Sequence, residues 1–158
     1  MSFSSRFEVS VSEIENYNGV KMNELISKFE VSHNLRKRIM VDMSLTALHH
    51  GHIRLLKKAY ELGDVIVALT SDEEIYKSKG FHPMLSFEHR KEIVLSIKYV
   101  QEVVKSRWLI DERFMNLHHV DLLVHGEDNR NPIPDEKLVI FERTTGISSS
   151  QLRNSTTG

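Results

Sequence analysis

The chain of 158 residues has no cysteine, only 3 prolines and 7 glycines, and no long hydrophobic run. The absence of cysteine excludes disulfides, thiolate zinc sites, iron–sulfur clusters and cysteine nucleophiles, and it agrees with a reducing compartment. The longest apolar run, residues 65–69, is far shorter than the roughly 20 residues that span a bilayer. Residues 1–10 lack the apolar core of a signal peptide. We therefore expect a cytoplasmic protein without a membrane-spanning segment.

No charge of one sign dominates the composition, because 21 Lys and Arg residues face 22 Asp and Glu residues and leave a formal charge of −1. A chain with this balance has no global field to hold a nucleic acid backbone or an anionic membrane surface. We predict neither partner. Any anionic ligand must be bound by a local arrangement of residues.

The residues that are present are typical of one folded domain, with 40% hydrophobic and 27% charged side chains. From residue 38 onward, short apolar runs alternate with amphipathic stretches, which is the pattern of a parallel sheet covered by helices. Strands are predicted over 38–42, 64–70, 100–104, 120–125 and 138–141. Helices are predicted over 50–62, 72–76 and 86–99, near 111–118, and after the serines at 148–150, with a loop over 77–85. The sequence predicts an α/β fold of about five parallel strands.

Residues 1–37 do not share this alternation and are predicted to form an N-terminal extension to a domain over 38–158. Within the extension, Met22, Leu25, Ile26 and Phe29 lie on one face of a predicted amphipathic helix over 20–29. Such a face packs either on its own domain or dimer partner, or on a separate binding partner. We favour the first alternative.

Three histidines lie where the first strand gives way to the first helix, in the segment His49, His50, Gly51, His52. Ligands of open parallel sheets bind outside the carboxyl ends of the strands, where a helix N-terminus also attracts phosphate. Histidines at 49 and 52 are three residues apart, so both can donate hydrogen bonds to one phosphate chain. A metal pair or a merely polar helix start are the alternatives. The spacing of the other histidines completes no zinc site.

A second segment rich in polar groups, Glu142 to Ser150, directly follows the last predicted strand. Arg143 offers a planar guanidinium, Gly146 permits a tight turn, and the serines at 148–150 supply hydroxyl and backbone donors. A serine-rich helix cap without a ligand is the alternative interpretation. Two such strand-to-helix segments at one sheet edge favour a shared anion site.

These segments resemble known signatures. Residues 49–52 are similar to the H-x-G-H signature of the nucleotidyltransferases, and residues 143–150, RTTGISSS, are similar to the R-T-x-G-I-S-T-T signature of the cytidylyltransferases. Phe87-Glu88-His89-Arg90 lies between them, and the resemblance covers residues 39–152. It extends to enzymes that act on glycerol 3-phosphate, phosphoethanolamine, phosphocholine or phosphonates. The resemblance implies a Rossmann-like, doubly wound domain with helices on both faces of the sheet, usually dimeric.

Residue by residue, the resemblance implies that His49 and His52 bind the triphosphate and stabilise the transition state, together with Arg143. Lys77 is grouped with these catalytic residues and Lys79 with the nucleotide-binding ones, although the sequence does not decide which lysine contacts phosphate. The other implied nucleotide-binding positions are Met43, Ser44, Gly51, Arg90, Gly126, Glu127, Asp128, Thr144, Gly146, Ile147, Ser148, Ser149 and Ser150. No metal site made by protein ligands is predicted.

The chain departs from the family pattern at two places. Families of this type usually carry G-x-F-D before the first histidine, whereas this chain has Met43-Ser44-Leu45-Thr46, so the aspartate is replaced by Thr46. Residues 126–128, Gly-Glu-Asp, resemble the G-D-D segment of the family, and Asn129 stands where a tryptophan often follows that segment. Residues 41–44 followed by 48–52 instead resemble nucleotidyltransferase modules found with phosphonate-forming mutases. This resemblance disfavours glycerol 3-phosphate as the acceptor.

The implied reaction is attack by a phosphate or phosphonate oxygen on the α-phosphorus of CTP, which releases pyrophosphate and leaves a CDP-linked product. Mg²⁺ is expected to bridge the phosphates through few protein ligands. Two alternatives stay open: adenylyl transfer on the same fold, and a non-catalytic nucleotide-binding module.

Overall fold

A computed structural model describes residues 26–27 and 36–155 of the chain. The chain divides into two compact units, residues 1–36 and 37–158. In the first unit Ile26 and Ser27 are helical, and the rest of the helix predicted over 20–29 lies outside the described residues. Across the described ranges, no helix is long and apolar enough to cross a membrane.

The second unit contains five parallel strands in the order β3-β2-β1-β4-β5. They are β1 Lys37–Met43, β2 Gly63–Thr70, β3 Val100–Ser106, β4 Leu122–Gly126 and β5 Leu138–Phe141. The chain builds outward from β1 to β3 and then crosses back to place β4 on the other side of β1. This reversal opens a crevice beyond the carboxyl ends of β1 and β4, where ligands of such sheets bind. The predicted α/β fold is confirmed.

The described part of the second unit also contains five α-helices: α1 His50–Leu62, α2 Asp72–Lys79, α3 Phe87–Leu95, α4 Glu112–Leu117 and α5 Ser149–Ser155. Alternate residues of the central strands point to opposite faces. Val41 and Val67 therefore pack in a cluster with residues of α1 and α3, whereas Met40 and Ile66 pack with Met115 of α4. Because both faces are covered, β1 and β2 consist of nearly continuous apolar runs.

The close pairing of β1 with β2 explains the glycine between α1 and β2. A Cβ on Gly63 would overlap the carbonyl oxygen of Lys37, its partner in the parallel ladder. The sequence predicts Gly63 as the end of the helix, whereas the structure also uses it as the first residue of the strand.

Two predicted helix ends differ from the observed ones. The helix predicted over 72–76 continues to Lys79, because Gly80, at φ +75°, closes it in the left-handed conformation that glycine adopts without strain. The helix predicted to reach residue 99 ends at Leu95. There the Ser96 hydroxyl donates to the carbonyl of Glu92 and its N–H donates to that of Ile93, which ends the regular ladder.

Candidate active site

A cleft of about 1090 Å³ lies at the carboxyl ends of β1 and β4. Both polar segments singled out by the sequence line this one cleft. The predicted residues that line it are Met43, Ser44, His49, Gly51, His52, Lys79, Gly126, Asp128, Arg143, Thr144, Ile147, Ser148, Ser149 and Ser150. The polar groups that the sequence predicts to form a shared anion site therefore line the same cleft.

His49 and His52 cap the start of α1 in a reciprocal arrangement. The N–H of Gly51 donates to Nδ1 of His49 at 3.1 Å, and the N–H of His49 donates to Nδ1 of His52 at 3.2 Å. The two rings are 3.9 Å apart between centroids. Because each Nδ1 accepts a hydrogen bond, the proton of each neutral ring is on Nε2. The capping interaction thus sets the tautomer that leaves Nε2–H as a donor.

The surroundings of these rings favour the neutral form. Burial lowers the pKa of His52 to about 4, and the neighbouring His49 ring and the Arg143 guanidinium act in the same direction. Burial also lowers the pKa of His49, assisted by His50 and Arg143. Near neutral pH both rings are therefore uncharged hydrogen-bond donors. Since Arg143 acts on both, its charge lies close to the pair.

Gly51 is the point at which the two polar segments meet. A Cβ at this position would lie 2.8 Å from Cε1 of His49 and 3.4 Å from Cβ of Thr144. Only glycine lets the His49 ring fold back over the helix start while the segment after β5 approaches from the other side. Any larger residue would push the histidine or Thr144 away.

The segment after β5 is held against the histidine segment by side-chain contacts. Gly146, at φ +80°, makes the turn that the sequence predicts, and the Ser149 hydroxyl donates to the carbonyl of Ala47 at 2.8 Å. The Arg143 guanidinium lies 3.5 Å from the Asp128 carboxylate. Both groups are more than half exposed, so this contact leaves the arginine accessible to an anionic ligand.

The structure separates the two candidate lysines. Lys79 lines the cleft, with its Nζ 5.4 Å from the ring centroid of Trp108, and burial lowers its pKa. Lys77 is outside the cleft lining, its side chain is 71% exposed, and it pairs with Glu74 at 3.4 Å. The grouping of Lys77 with the catalytic residues stays a prediction, and the geometry favours Lys79 as the lysine that faces a ligand in this cleft. Lys77 and Lys79 are two residues apart, so they project from different sides of α2.

Arg90 also differs from its predicted role. It is 2% exposed and absent from the cleft lining. Its guanidinium donates to the carbonyls of Ser44, Thr70 and Leu85 at 2.6, 3.0 and 3.2 Å, and to the Asp72 carboxylate at 2.5 Å. A guanidinium with these four contacts has little capacity left for a nucleotide. Arg90 is a structural residue.

Two further predicted positions lie outside the cleft lining, namely Glu127 and Gly146. Gly146 serves through its backbone conformation instead. Glu127 follows Gly126 at the end of β4, and no contact from its side chain into the cleft supports a nucleotide-binding role.

Asp42 and His125, to which the sequence pattern assigns no role, form an acidic cluster with the predicted residue Asp128 on the β4 side of the cleft. The Asp42 carboxylate accepts from the Asn131 amide at 3.0 Å and lies 3.5 Å from Nε2 of His125. Nδ1 of His125 in turn lies 3.7 Å from the Asp128 carboxylate. Burial raises the pKa of Asp42, and one of its oxygens, Oδ1, has no hydrogen-bond partner. A carboxylate at the end of a buried strand is the signal that could have identified this cluster.

Comparison with known proteins decides the family. The cytidylyltransferase-like family model matches residues 47–155. The chain belongs to this family. It is 32% identical over 127 residues to glycerol-3-phosphate cytidylyltransferase of Bacillus subtilis, covering 77% of this chain and 98% of the relative. It is 31% identical over 127 residues to ethanolamine-phosphate cytidylyltransferase of Dictyostelium discoideum, covering 73% of this chain and 35% of the relative.

A solved structure supports the fold of this cytidylyltransferase-family chain. The lipopolysaccharide core biosynthesis protein of Thermoplasma volcanium superposes with a TM-score of 0.59 at 20% identity, over 69% of this chain and 98% of that protein. This likeness is evidence for the fold alone. Together the comparisons confirm the family and the nucleotidyltransferase class that the two signatures predict.

Proposed function

We propose that the protein transfers CMP from CTP to a phosphate or phosphonate oxygen of a small acceptor that carries an amino group, and releases pyrophosphate. The observation that carries the proposal is the convergence of His49, His52, Lys79 and Arg143 on one cleft, alongside the hydroxyls of the serines at 148–150. A triphosphate needs hydrogen-bond donors and positive charge close together, and the neutral histidines and the two cations supply both in one cleft.

The chemistry needs no strong base, because the attacking oxygen is already anionic near neutral pH. Catalysis then consists of holding two anions in line and stabilising the charge that develops on the α-phosphorus and on the departing pyrophosphate. The Nε2–H groups of His49 and His52 donate to phosphate oxygens. Arg143 and Lys79 neutralise the leaving group, and the hydroxyls of Ser148 and Ser150 orient it.

This chemistry also implies Mg²⁺ carried on the triphosphate. In the described part of the chain, no group of three His, Asp or Glu side chains is arranged to hold a metal ion. The nearby histidines also use their Nδ1 atoms as backbone acceptors. Because Mg²⁺ prefers oxygen ligands and retains waters, phosphate oxygens would be its main ligands, and the residues that hold the phosphates would hold it indirectly. When bound, it neutralises phosphate charge.

The acidic cluster supports an acceptor with a positive group. Asp128 lies beside Arg143, and His125 connects Asp128 to Asp42. An acceptor whose phosphate approaches Arg143 would direct its other end toward these carboxylates. An ammonium there would stabilise the ionised form of Asp42, whose charge is disfavoured by burial. Glycerol 3-phosphate offers only hydroxyls at that end.

A kinetic comparison of nucleotides and acceptors tests the proposal. Pyrophosphate release is measured with CTP and with ATP against 2-aminoethylphosphonate, phosphoethanolamine, phosphocholine and glycerol 3-phosphate. We expect CTP and an amino acceptor to give the highest kcat/KM. Asp42→Asn should raise KM for the amino acceptor about tenfold or more and leave KM for CTP unchanged, whereas the exposed control Asp135→Asn should change neither.

The outcomes separate the alternatives. A preference for glycerol 3-phosphate, or an unaltered Asp42→Asn enzyme, would overturn the acceptor assignment. Faster reaction with ATP would indicate adenylyl transfer. Tight CTP binding without pyrophosphate release from any pair would indicate a non-catalytic module.

Several broader properties belong to the same proposal. We assign the activity to residues 38–158, with 1–37 as an extension, and place the enzyme in the cytoplasm with its nucleotide substrate.

We also propose a homodimer. The apolar side chains of Leu48, Leu85 and Ile93 are 41%, 44% and 39% exposed and surround one shallow pocket, which a second copy of the chain would cover. Sedimentation equilibrium measures this state, and a monomer at micromolar concentration would contradict it.

A further inference from the structure

Arg153, on the terminal helix α5, joins three segments around the cleft. Its Nη1 donates to the Thr46 hydroxyl at 2.6 Å and its Nη2 to the Ser150 hydroxyl at 3.1 Å. The guanidinium carbon lies 4.7 Å from the ring centroid of Phe81, in the loop after α2. Thr46 belongs to the loop after β1, so one side chain contacts all three segments.

The hydrogen bond to Ser150 fixes the direction of a hydroxyl proton. A guanidinium only donates, so the Ser150 oxygen must accept, and its own proton points away from Arg153. Ser150 lines the cleft. Its hydroxyl proton is therefore available as a donor to an anion in that space, and the bond from Arg153 excludes the competing direction.

The contact with Phe81 connects Arg153 to the lysine of the cleft. Phe81 lies two residues after Lys79, separated by Gly80 at the end of α2. Burial lowers the pKa of Lys79, and the charge of Arg153 acts in the same direction. Movement of Arg153 would release the end of α2 that carries the lysine.

We propose that Arg153 is a positioning residue for the transfer reaction: it aims the Ser150 hydroxyl into the cleft and ties the Lys79 end of α2 to α5. This inference rests on the proposed function, because it assigns Arg153 a role in holding the triphosphate. Thr46, which replaces the family aspartate, accepts the hydrogen bond from Arg153 here as a neutral partner.

Steady-state kinetics of Arg153→Gln, Ser150→Ala and the double variant test this role, with exposed Arg113→Gln on α4 as the matched control. We expect Arg153→Gln to lower kcat/KM for CTP about tenfold or more, while KM for the acceptor stays within about twofold. In the Ser150→Ala background, Arg153→Gln should cost distinctly less, because the hydroxyl it aims is gone. Arg153→Lys should recover part of the loss, since it keeps the charge.

Each outcome distinguishes the two proposals. If the wild-type protein releases pyrophosphate from CTP and Arg153→Gln and Arg153→Lys both match it, the positioning role is wrong and the proposed function stands. Strictly multiplicative effects in the double variant would also contradict it. If Arg153→Gln does not fold, Arg153→Lys carries the test, with equal KM and kcat to wild type as the contradicting result. A wild-type protein that neither binds nor turns over CTP overturns the proposed function and this inference together.

Discussion

The two histidines of the first signature accept hydrogen bonds from the protein backbone, and we propose that they also donate to a ligand. Their spacing of three residues predicts that both rings lie on the same side of the helix start, and the structure places them 3.9 Å apart. What the sequence cannot show is that each Nδ1 is occupied by a backbone N–H. That depends on the backbone conformation of His49 at the helix cap, and this pairing places the proton of each neutral ring on Nε2.

Asparagine substitutions separate the two roles. The amide oxygen of asparagine can accept the backbone N–H that Nδ1 accepts, but no donor then reaches the position of Nε2. We expect His49→Asn and His52→Asn to lower kcat about 10²- to 10³-fold, the range for loss of one preorganised donor. The melting temperature should stay close to that of wild type. His50→Asn, the control in the same segment, should be mild.

Equal losses at all three positions would contradict the assignment, and so would an active His52→Asn enzyme.

The same variants test how the stability of the protein depends on pH. The pKa of His52 is about 4 in the folded chain, against an ordinary value of 6.5, so the unfolded chain binds the proton first. The contribution of His52 to stability is complete above pH 6.5 and is lost as the pH falls toward 4. His52→Asn should show a smaller fall in melting temperature over that interval.

At the scale of elements, Arg90 joins the starts of two helices to two strand ends. Asp72, in the first turn of α2, accepts both from Arg90 and from the N–H of Phe87 in the first turn of α3. Arg90 also holds the carbonyl of Ser44, beside Leu45, whose φ of +49° is unfavourable for a non-glycine residue. The sequence pattern cannot show this role, because an arginine in a charged helix is usually exposed.

Replacement of Arg90 tests its structural role. Arg90→Ala leaves Oδ1 of Asp72 and three carbonyl oxygens without their donor, and each buried acceptor left unsatisfied typically costs about 1–3 kcal/mol of unfolding free energy. We expect a loss of at least about 3 kcal/mol in urea denaturation. The exposed neighbour His89→Ala should cost less than about 1 kcal/mol. Similar values for the two variants would contradict the account.

At the scale of the whole molecule, the order of the strands explains why the site lies where it does. The alternation of apolar runs and amphipathic stretches predicts the parallel sheet, and all five predicted strands are present. Periodicity gives each element but leaves the strand order open, so the reversal beside β1 follows only from the structure. That reversal brings residues that are more than 90 positions apart, such as Gly51 and Thr144, into contact.

A sequence pattern is local, whereas contacts between distant segments depend on the strand order, and this difference explains which candidate site residues the sequence identifies. The two signatures are local, so His49, His52, Arg143 and the serines follow from motif and resemblance. Asp42 and Arg153 form hydrogen bonds with partners distant in sequence, Asn131 and Thr46, and no local pattern marks those pairs. Whether Lys77 or Lys79 faces the cleft depends on how far α2 extends and how it is oriented. Only the structure shows that α2 continues to Lys79.

The central claim is that the segments 49–52 and 143–150 hold one triphosphate between them. A crystal structure of the wild-type protein with CTP and Mg²⁺ tests it most directly. We expect Nε2 of His49 or His52 and the guanidinium of Arg143 to lie within hydrogen-bond distance of oxygens of the same triphosphate, with a serine of 148–150 beside them. A triphosphate bound outside this cleft, or one that contacts only one of the two segments, would contradict the account.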